Sequence, residues 1–207
     1  MRCDLRFQDP SSEDTVYLYE QIIQELEAAQ TSRFEGIFAF ASRQGITSLL
    51  EDPDFERFLS RGGGCTLIVG VDAITDDRAL ALLESLCARH STLEVMVFHN
   101  DVADLFHPKV ARFFHDDGGQ TIIIGSGNLT PGGLRRNIEA YSVTAIEAME
   151  IGQEGSVHAW DAFIERHSDR IRPIDEATKA AARANRATRR RRQPGETEPQ
   201  GGAAEEP

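Results

Sequence analysis

The amino-acid sequence predicts an α/β domain in which helices pack on a largely parallel β-sheet. Short runs of continuous apolar residues alternate with longer segments whose apolar residues recur every three or four positions. The first pattern is typical of buried strands, and the second of helices that pack on a sheet. With 207 residues, 40% of them hydrophobic, the chain is long enough for one domain with a sizeable core. We place this domain at residues 1–174.

The first predicted helix begins near a capping box formed by Ser11 and Asp14. Its apolar residues follow at helical spacing and comprise Val16, Tyr19, Ile22, Ile23 and Leu26. Residues 37–41 then form a strand-like run. Two short helical stretches come next, one around Leu49 and one over residues 55–59, before three consecutive glycines interrupt the pattern.

Two further strands flank a capped helix. The continuous apolar run over residues 66–71 predicts a buried strand, and residues 93–98 predict another. Between them, Asp76 is placed to cap a helix whose apolar residues are Leu80, Leu83 and Leu86. The order strand, helix, strand, helix, strand favours parallel strands joined by helical crossovers.

The second half of the domain starts with a hairpin. Residues 107–115 and 120–124 predict two strands, and residues 116–119 have the composition of a tight turn between them. Residues 138–146 predict one more strand. A closing helix over residues 154–167 would carry its apolar residues on one face, namely Val157, Trp160, Phe163 and Ile164.

Residues 175–207 differ in composition from the rest and are assigned to a tail. They contain seven basic and six acidic residues, a net charge of +1, whereas the whole chain has −12. The Ala/Arg-rich first part could form a short helix, and the second part, rich in Pro, Gly and Glu, predicts disorder. The four arginines at 189–192 are either a solvated stretch or a nucleic-acid contact.

Composition also excludes several classes of protein. No apolar run approaches the roughly 18 residues that a membrane helix needs, and the N-terminus lacks the apolar segment of a signal peptide. The three cysteines have no CxxC spacing, which argues against a disulfide framework and against a zinc knuckle. We therefore expect a cytoplasmic protein without membrane attachment. The net charge of −12 argues against a generic electrostatic DNA clamp but leaves room for a local basic cleft.

Two short motifs contain the residues whose side chains are suited to catalysis or ligand binding. His107 and Lys109 are two positions apart, so on a strand they point to one face and place an imidazole beside an ammonium. The loop GSGNLT at 125–130 follows a predicted strand; its glycines permit a tight turn and close approach to a ligand, and Ser126 and Asn128 add donors. If the hairpin pairs as expected, a nucleophile, a cation and neutral donors surround one point, which suits a phosphodiester.

Each of these residues also has a plainer interpretation. His107 could be a surface histidine and Lys109 a solvated lysine, although Lys109 is one of only two lysines in the chain. Thr130 could simply cap the next turn, and Arg135 and Arg136 could form a solvated face instead of a phosphate clamp. A metal site could be drawn from five residues, His99, Asp101, Asp104, His107 and His115, but their spacing matches no strong metal motif. The sequence therefore predicts no metal and no cofactor.

Together the motifs resemble those of a known family. His107-x-Lys109 followed by GSxN at 125–128 is similar to the HxK…GSxN signature of the phospholipase D superfamily. The following Leu129-Thr130, the Gly-Gly-Leu at 132–134 and Glu139 look most like its nuclease-type members. The resemblance covers roughly residues 15–170. One position departs from the pattern, because Phe114 stands where the family has an Asp five residues after the Lys.

The resemblance implies a layered sheet flanked by helices, with one motif per chain. Because the family uses two HxK motifs in each active site, it also implies a homodimer with the site at the two-fold axis. One His107 would attack phosphorus to form a phosphohistidine, and the other would protonate the leaving oxygen and then activate water. Glu139 would orient a His107 or stabilise its imidazolium. No metal is implied.

The same resemblance assigns the phosphate-binding residues. Lys109, Ser126 and Asn128 of both copies would hold the phosphate, and we add Gly125, Thr130 and Arg135 as candidate substrate contacts. The function implied is a metal-independent phosphodiesterase, and specifically a nuclease acting on DNA or RNA. The alternatives are a lipid phosphodiesterase of the phospholipase D type, or a non-catalytic nucleic-acid-binding or assembly module. A separate helicase, restriction or repair subunit could supply target recognition.

Overall fold

The structure, a computed structural model, describes residues 1–71, 74–99, 105–150 and 155–192. Its centre is an eight-stranded β-sheet. In chain order the strands are β1 (Arg2–Gln8), β2 (Thr31–Phe38), β3 (Gly64–Gly70), β4 (Leu93–Phe98), β5 (Lys109–His115), β6 (Gln120–Gly125), β7 (Glu139–Ile146) and β8 (Ile171–Pro173).

Six α-helices and one π-helical turn surround the sheet in the described part of the chain. They are α1 (Leu18–Glu27), α2 (Arg43–Leu50), α3 (Pro53–Ser60), α4 (Asp77–Arg89), the π-helical turn (Gly132–Arg136), α5 (Gly155–Arg166) and α6 (Glu176–Arg192). The predicted cap at Asp76 is confirmed, since its carboxylate accepts from the backbone N–H groups of Arg78 and Ala79. Among the described residues, no helix has the length and apolar character needed to cross a bilayer.

The strand order is β1-β7-β6-β5-β2-β3-β4-β8, and the sheet is mixed. Only the β2/β3 and β3/β4 pairs are parallel; the other neighbours run antiparallel. The expectation of a largely parallel sheet was therefore wrong beyond β4. Helical crossovers produce parallel pairs at β2/β3 and β3/β4, whereas β5 and β6 form the predicted hairpin, whose short turn enforces antiparallel pairing.

The main core lies between one face of the sheet and helices α1 to α4. Alternate strand residues point into it, among them Phe34, Leu67 and Phe113, all fully buried. The rings of Phe34 and Phe113 stack with centroids 5.0 Å apart across the β2/β5 pair. This packing fixes β5, the strand that begins at Lys109, against the parallel strands.

The opposite face carries a row of paired residues across seven strands. From β1 to β4 the row consists of Leu5, Ser142, Ile124, Val110, Ile37, Ile68 and Met96. Helix α5 covers the part formed by β2, β3 and β4, where Ile37 and Ile68 pack with Trp160 and Phe163. The other part stays open: Leu5 is 68% exposed and Ile124 is 52% exposed. We call Leu5, Phe7 and Ile124 the open sheet face; Phe7 belongs to it through its pairing with Ala140.

The N-terminal region differs from its prediction. Helix α1 begins at Leu18, and residues 11–14 precede it in a turn in which the Asp9 carboxylate accepts from the backbone N–H and hydroxyl of Ser11. The proposed capping box was therefore wrong, because Ser11 uses its hydroxyl on Asp9 instead of on a helix N-terminus. Strand β1 was not predicted, since its apolar residues Leu5 and Phe7 face outward between polar neighbours.

Helix α6 packs on α4 through its first turns. Thr178 and Ala182 are buried, and the Lys179 ammonium lies 2.8 Å from the Glu84 carboxylate. The start of the predicted tail thus forms the expected helix and contacts the domain. Residues 193–207, predicted to be disordered, lie outside the described residues, and the division of the chain at residue 174 stays a prediction.

Candidate active site

His107 and Lys109 lie side by side where β5 begins. The Lys109 Nζ is 2.7 Å from the His107 Nδ1, and it also donates to the His107 carbonyl at 2.8 Å. Lys109 is buried, whereas the His107 side chain is exposed. The preceding residue, Phe106, is buried and stacks on Phe98 with centroids 4.0 Å apart, which anchors the chain just before the histidine. The sequence-based expectation that the two side chains are adjacent is met.

The Lys109 ammonium is partly desolvated. Burial lowers its pKa below the usual 10.5, and the negative charge of Glu139 opposes this shift. A cation held away from bulk water interacts more strongly with an incoming anion, because less solvent screens the attraction. The position of Lys109 is therefore suited to a phosphate.

The Lys109 contact also decides which ring nitrogen of His107 carries the proton. Since the Lys109 ammonium donates to Nδ1, that nitrogen presents its lone pair. A neutral His107 then has its proton on Nε2, at the exposed side of the ring. In this form the exposed Nε2 carries the proton and has no lone pair with which to attack phosphorus.

Asn128 is fixed by the backbone of the segment that follows β2. Its Oδ1 accepts from the backbone N–H of Phe40 at 3.1 Å. This leaves the two Nδ2 protons to point elsewhere, and they have no acceptor within the described residues. The ring of the same Phe40 meets the His107 ring edge-on, with centroids 5.5 Å apart. Phe40 therefore places the Asn128 amide and the His107 imidazole close to each other.

The glycines of the GSGN loop are required for packing. A Cβ on Gly125 would lie 2.6 Å from the Tyr141 Cβ, and one on Gly127 would lie 2.6 Å from the Gly133 carbonyl oxygen. Neither residue has a positive φ. The loop thus presses against β7 and against the π-helical turn. Close contact within the chain is thus one reason for these glycines, and their approach to a ligand stays a prediction.

Glu139 belongs to a hydrogen-bonded group beside the lysine. The Ser126 hydroxyl donates to one Glu139 oxygen, and Asn137 Nδ2 donates to the other at 3.1 Å. Ser126 Oγ in turn accepts from the backbone N–H of Ala140 at 3.1 Å. Within the described residues Glu139 makes no hydrogen bond to His107, and its electrostatic effect falls on Lys109. Asn137 was missed by sequence reasoning, since nothing in its local pattern distinguishes it.

Comparisons with known proteins agree on the fold. Neither a protein-family model nor a curated protein matches the chain. NucT from Helicobacter pylori aligns with a TM-score of 0.55 at 10% identity, over 84% of this chain and 99% of that one. The phospholipase D family member Nuc from Salmonella typhimurium aligns with a TM-score of 0.57 at 13% identity, again over 84% and 99%. Phosphatidylserine synthase from Haemophilus influenzae gives 0.56 at 14% identity, over 92% of this chain and 46% of that one.

The chain has a phospholipase D-like fold. In this phospholipase D-like sheet the two motifs meet at one end of neighbouring strands. Lys109 begins β5 and pairs with Phe38, the last residue of β2, while Gly125 ends β6 and pairs with Tyr141 near the start of β7. The register therefore collects the HxK and GSxN segments in one place.

Two further candidates lie beside this group. Thr130 Oγ1 accepts from the backbone N–H of Gly133 at 3.1 Å and so caps the π-helical turn, which is its plainer interpretation. The Arg135 guanidinium lies 3.6 Å from the centre of the Tyr19 ring. Burial and the hydrogen bond to Asp52 raise the pKa of Tyr19 to about 12, so its ring stays neutral beneath Arg135. Any contact of Arg135 with a substrate would start from this stacked position.

Phe114, which stands where the phospholipase D pattern has an Asp, lies far from the histidine. It is five residues beyond Lys109 on the same strand, which corresponds to about 17 Å, and it points to the opposite face. Its ring receives two guanidinium groups, those of Arg33 at 3.7 Å and Arg112 at 4.8 Å. This position is part of the sheet's structure and is separated from the candidate site.

The five residues considered as a metal site do not form one among the residues that the structure describes. Asp101 and Asp104 lie outside the described residues. His115 uses both ring nitrogens on hydroxyl groups, those of Thr31 at 3.1 Å and Thr121 at 3.0 Å. Within the described part of the chain, no group of three or more His, Cys, Asp or Glu side chains is arranged to hold a metal ion.

Proposed function

We propose that the chain is a metal-independent phosphodiesterase that hydrolyses DNA or RNA through a phosphohistidine intermediate. The observation that carries the proposal is the contact of the Lys109 ammonium with the His107 imidazole, at the strand ends that also hold Asn128 and Glu139. A nucleophile, a partly desolvated cation and a neutral amide donor are what a phosphodiester needs. The phospholipase D-like fold supports the assignment.

The reaction would begin when the substrate phosphate draws the Lys109 Nζ away from His107 Nδ1. Nδ1 can then take the ring proton, with Glu139 available as its acceptor, and Nε2 is left with a lone pair. Nε2 attacks phosphorus and the bond to the leaving oxygen breaks. Lys109 and the Asn128 amide stabilise the charge that builds on the non-bridging oxygens.

A second histidine has to protonate the leaving oxygen, and each chain supplies only one HxK motif. In a homodimer the second copy of His107 fills this role. In its imidazolium form, in which Nδ1 carries a proton in place of the Lys109 contact, this second histidine donates its Nε2 proton to the leaving oxygen and becomes neutral. The same histidine then takes a proton from water, whose oxygen attacks phosphorus while the phosphorus–nitrogen bond breaks.

The open sheet face supports such a homodimer. Phe7 is 63% exposed on the same face of β1 as Leu5, and Ser142 of β7 lies between Leu5 and Ile124 of β6 in the paired row. Large apolar side chains that remain exposed on one face of a sheet are candidates for an interaction surface. Ile124 directly precedes Gly125, the first residue of the GSGN loop, so this face ends next to the candidate site.

The deciding experiment measures cleavage of a labelled single-stranded oligonucleotide and of plasmid DNA in EDTA. We expect the wild type to cleave, and His107→Ala to be slower by at least about a thousandfold because the nucleophile is lost. His158→Ala, which removes an exposed histidine on α5, is the matched control and should cleave like the wild type.

Three results would overturn parts of this proposal. Activity that disappears in EDTA and returns with added metal would contradict the histidine mechanism. Equal cleavage by wild type and His107→Ala would remove His107 from the site. If neither cleaves nucleic acid but the wild type hydrolyses phosphatidylcholine in mixed micelles, the activity is that of a lipid phosphodiesterase.

A further inference from the structure

An open groove of about 410 Å³ lies next to the candidate site, between α2 and the π-helical turn. Its lining consists of Arg43, Gln44, Thr47, Ser48, Pro131 and Arg136. We call it the arginine groove. It contains two guanidinium groups and several neutral polar side chains, and no acidic residue of the described chain lines it.

Its arginines differ from many others on this surface. Arg33, Arg57 and Arg89 each lie within 4.0 Å of a carboxylate, as expected in a chain with a net charge of −12. Arg43 and Arg136 form no such ion pair with any described residue. Two unneutralised guanidinium groups from separate elements therefore face one groove and make it locally positive.

The groove is tied to the candidate site by the backbone. The N–H of Ser42 donates to the Leu129 carbonyl at 3.0 Å, and a Cβ on Gly45 would lie 2.2 Å from the same oxygen. The first turn of α2 thus rests directly on the GSGNLT loop. Leu129 also pairs with Ala41 in an isolated β-bridge. This contact leaves little freedom for the groove to move relative to the loop.

Both arginines are within a short reach of the reacting group. Arg43 follows Phe40, whose ring contacts His107, by three residues, and Arg136 precedes Glu139 by three residues. Three residues span at most about 11 Å between Cα atoms. A strand whose scissile phosphate lies at His107 would therefore need only a few further nucleotides to place a phosphate in the groove.

We propose that the arginine groove binds backbone phosphates of a polynucleotide strand next to the scissile phosphate. This rests on the proposed phosphodiesterase function and adds to it a second phosphate-binding site outside the reacting centre. A substrate with one phosphodiester would leave the groove empty. The guanidinium fork suits phosphate oxygens, and the contacts carry no base information, so binding is independent of sequence.

The test compares oligonucleotide affinities in the His107→Ala background, where cleavage does not interfere. Fluorescence anisotropy measures the Kd for a labelled single-stranded 12-mer and for a labelled dinucleotide, which has one phosphodiester, over a series of salt concentrations. Arg43→Gln and Arg136→Gln are made singly and together. Arg183→Gln, an exposed arginine on α6 outside the groove, controls for the loss of one positive charge.

With both groove arginines replaced, we expect the Kd for the 12-mer to rise at least tenfold. The slope of log K against log salt should fall by about 0.7 for each arginine that contacts a phosphate. The dinucleotide Kd should change by less than twofold, and Arg183→Gln should behave like its parent. An unchanged Kd and salt slope for the 12-mer would contradict phosphate binding in the arginine groove. An equal loss of affinity for the 12-mer and the dinucleotide would also contradict it.

Failure of the groove and failure of the proposed function give different results. Wild-type cleavage in EDTA together with an unchanged Kd in the arginine variants would contradict only the proposal that the arginine groove binds phosphates. Absence of any phosphodiesterase activity together with the expected Kd pattern would remove the enzymatic proposal. The groove would then stand as a nucleic-acid-binding site.

Discussion

The two halves of the sheet differ in how their two faces are covered. Strands β2, β3 and β4 are covered on both faces, by the main helical core on one side and by α5 on the other. Strands β5, β6, β7 and β1 are covered by the main core on one face; on the other face Leu5, Phe7 and Ile124 remain exposed, while Ile122 and Ile146 are buried in a small cluster. The parallel pairs are all in the first half, in agreement with the rule that parallel strands are buried.

The site follows this division. Lys109 begins β5, Ser126 follows β6 and Glu139 begins β7, so the half with one open face supplies the charged and polar groups. The covered half contributes Phe40, whose backbone holds Asn128 and whose ring contacts His107. The half of the sheet that is covered on both faces thus positions side chains that belong to the half with the open sheet face.

The largest effect, on the free energy of unfolding, is expected from comparing two substitutions in the row of paired residues on the sheet face opposite the main core. Ile37 and Ile124 both pair with Val110, but Ile37 is 3% exposed under α5 and Ile124 is 52% exposed. Ile37→Asp buries a carboxylate without a partner and should lower the free energy of unfolding by more than about 4 kcal/mol. Ile124→Asp should leave that value within about 1 kcal/mol of the wild type. Chemical denaturation at one protein concentration measures both.

Ile124→Asp should instead act on association. If the open sheet face forms the dimer, sedimentation velocity will show a monomer for Ile124→Asp and a dimer for the wild type, and nuclease activity will fall with the dimer. Ile124→Val, which keeps an apolar side chain, is the matched control. A wild type that is monomeric at all concentrations, or an Ile124→Asp variant that stays dimeric, would break the contrast between the halves.

The next effect concerns the lysine at the border of the two halves. Because burial lowers the pKa of Lys109, it loses its proton below pH 10.5, and the alkaline decline of kcat/KM should begin below that pH. Lys109→Arg keeps its charge, so this decline should be absent. Its rate should be tenfold to a hundredfold lower, because a guanidinium cannot take the compact position of the ammonium. The pH profile of kcat/KM for both proteins measures this.

The lowered pKa of Lys109 also makes the free energy of unfolding depend on pH in a defined direction. Between the lowered folded-state pKa of Lys109 and its unfolded value near 10.5, the unfolded chain binds the proton more tightly. The charge on Lys109 therefore destabilises the fold below this window, and the penalty disappears as the pH rises through it. Lys109→Met should lack this dependence. An identical pH dependence of unfolding in wild type and Lys109→Met would contradict the desolvation of Lys109.

Sequence patterns predicted the covered half well. The continuous apolar runs of β3 and β4 and the capped α4 were placed within a few residues, because burial on both faces demands uninterrupted apolar sequence. The edge strands β1 and β8 were missed. The first exposes its apolar residues, and the second, Ile171–Pro173, is too short to show a period.

The site was predictable in residue type and less so in geometry. Adjacency of His107 and Lys109 followed from their spacing. That Asn128 is held by the backbone of Phe40, or that Glu139 is held by Asn137, depends on register between strands far apart in sequence. The expected contact of Glu139 with His107 stays a prediction, and so do the roles of the site residues in catalysis.

The smallest effect is expected at Phe114, the position where the family has an Asp. It lies about 17 Å along β5 from Lys109 and on the opposite face, so Phe114→Asp should change kcat/KM by less than about twofold. The new carboxylate would stand between Arg33 and Arg112, exchanging two ring contacts for ion pairs at nearly equal stability, within about 1 kcal/mol. Phe114→Tyr, which keeps the ring, is the control. A tenfold gain in kcat/KM with Phe114→Asp would instead show that this end of β5 is coupled to the site, and that the aromatic residue lowers the activity of this chain.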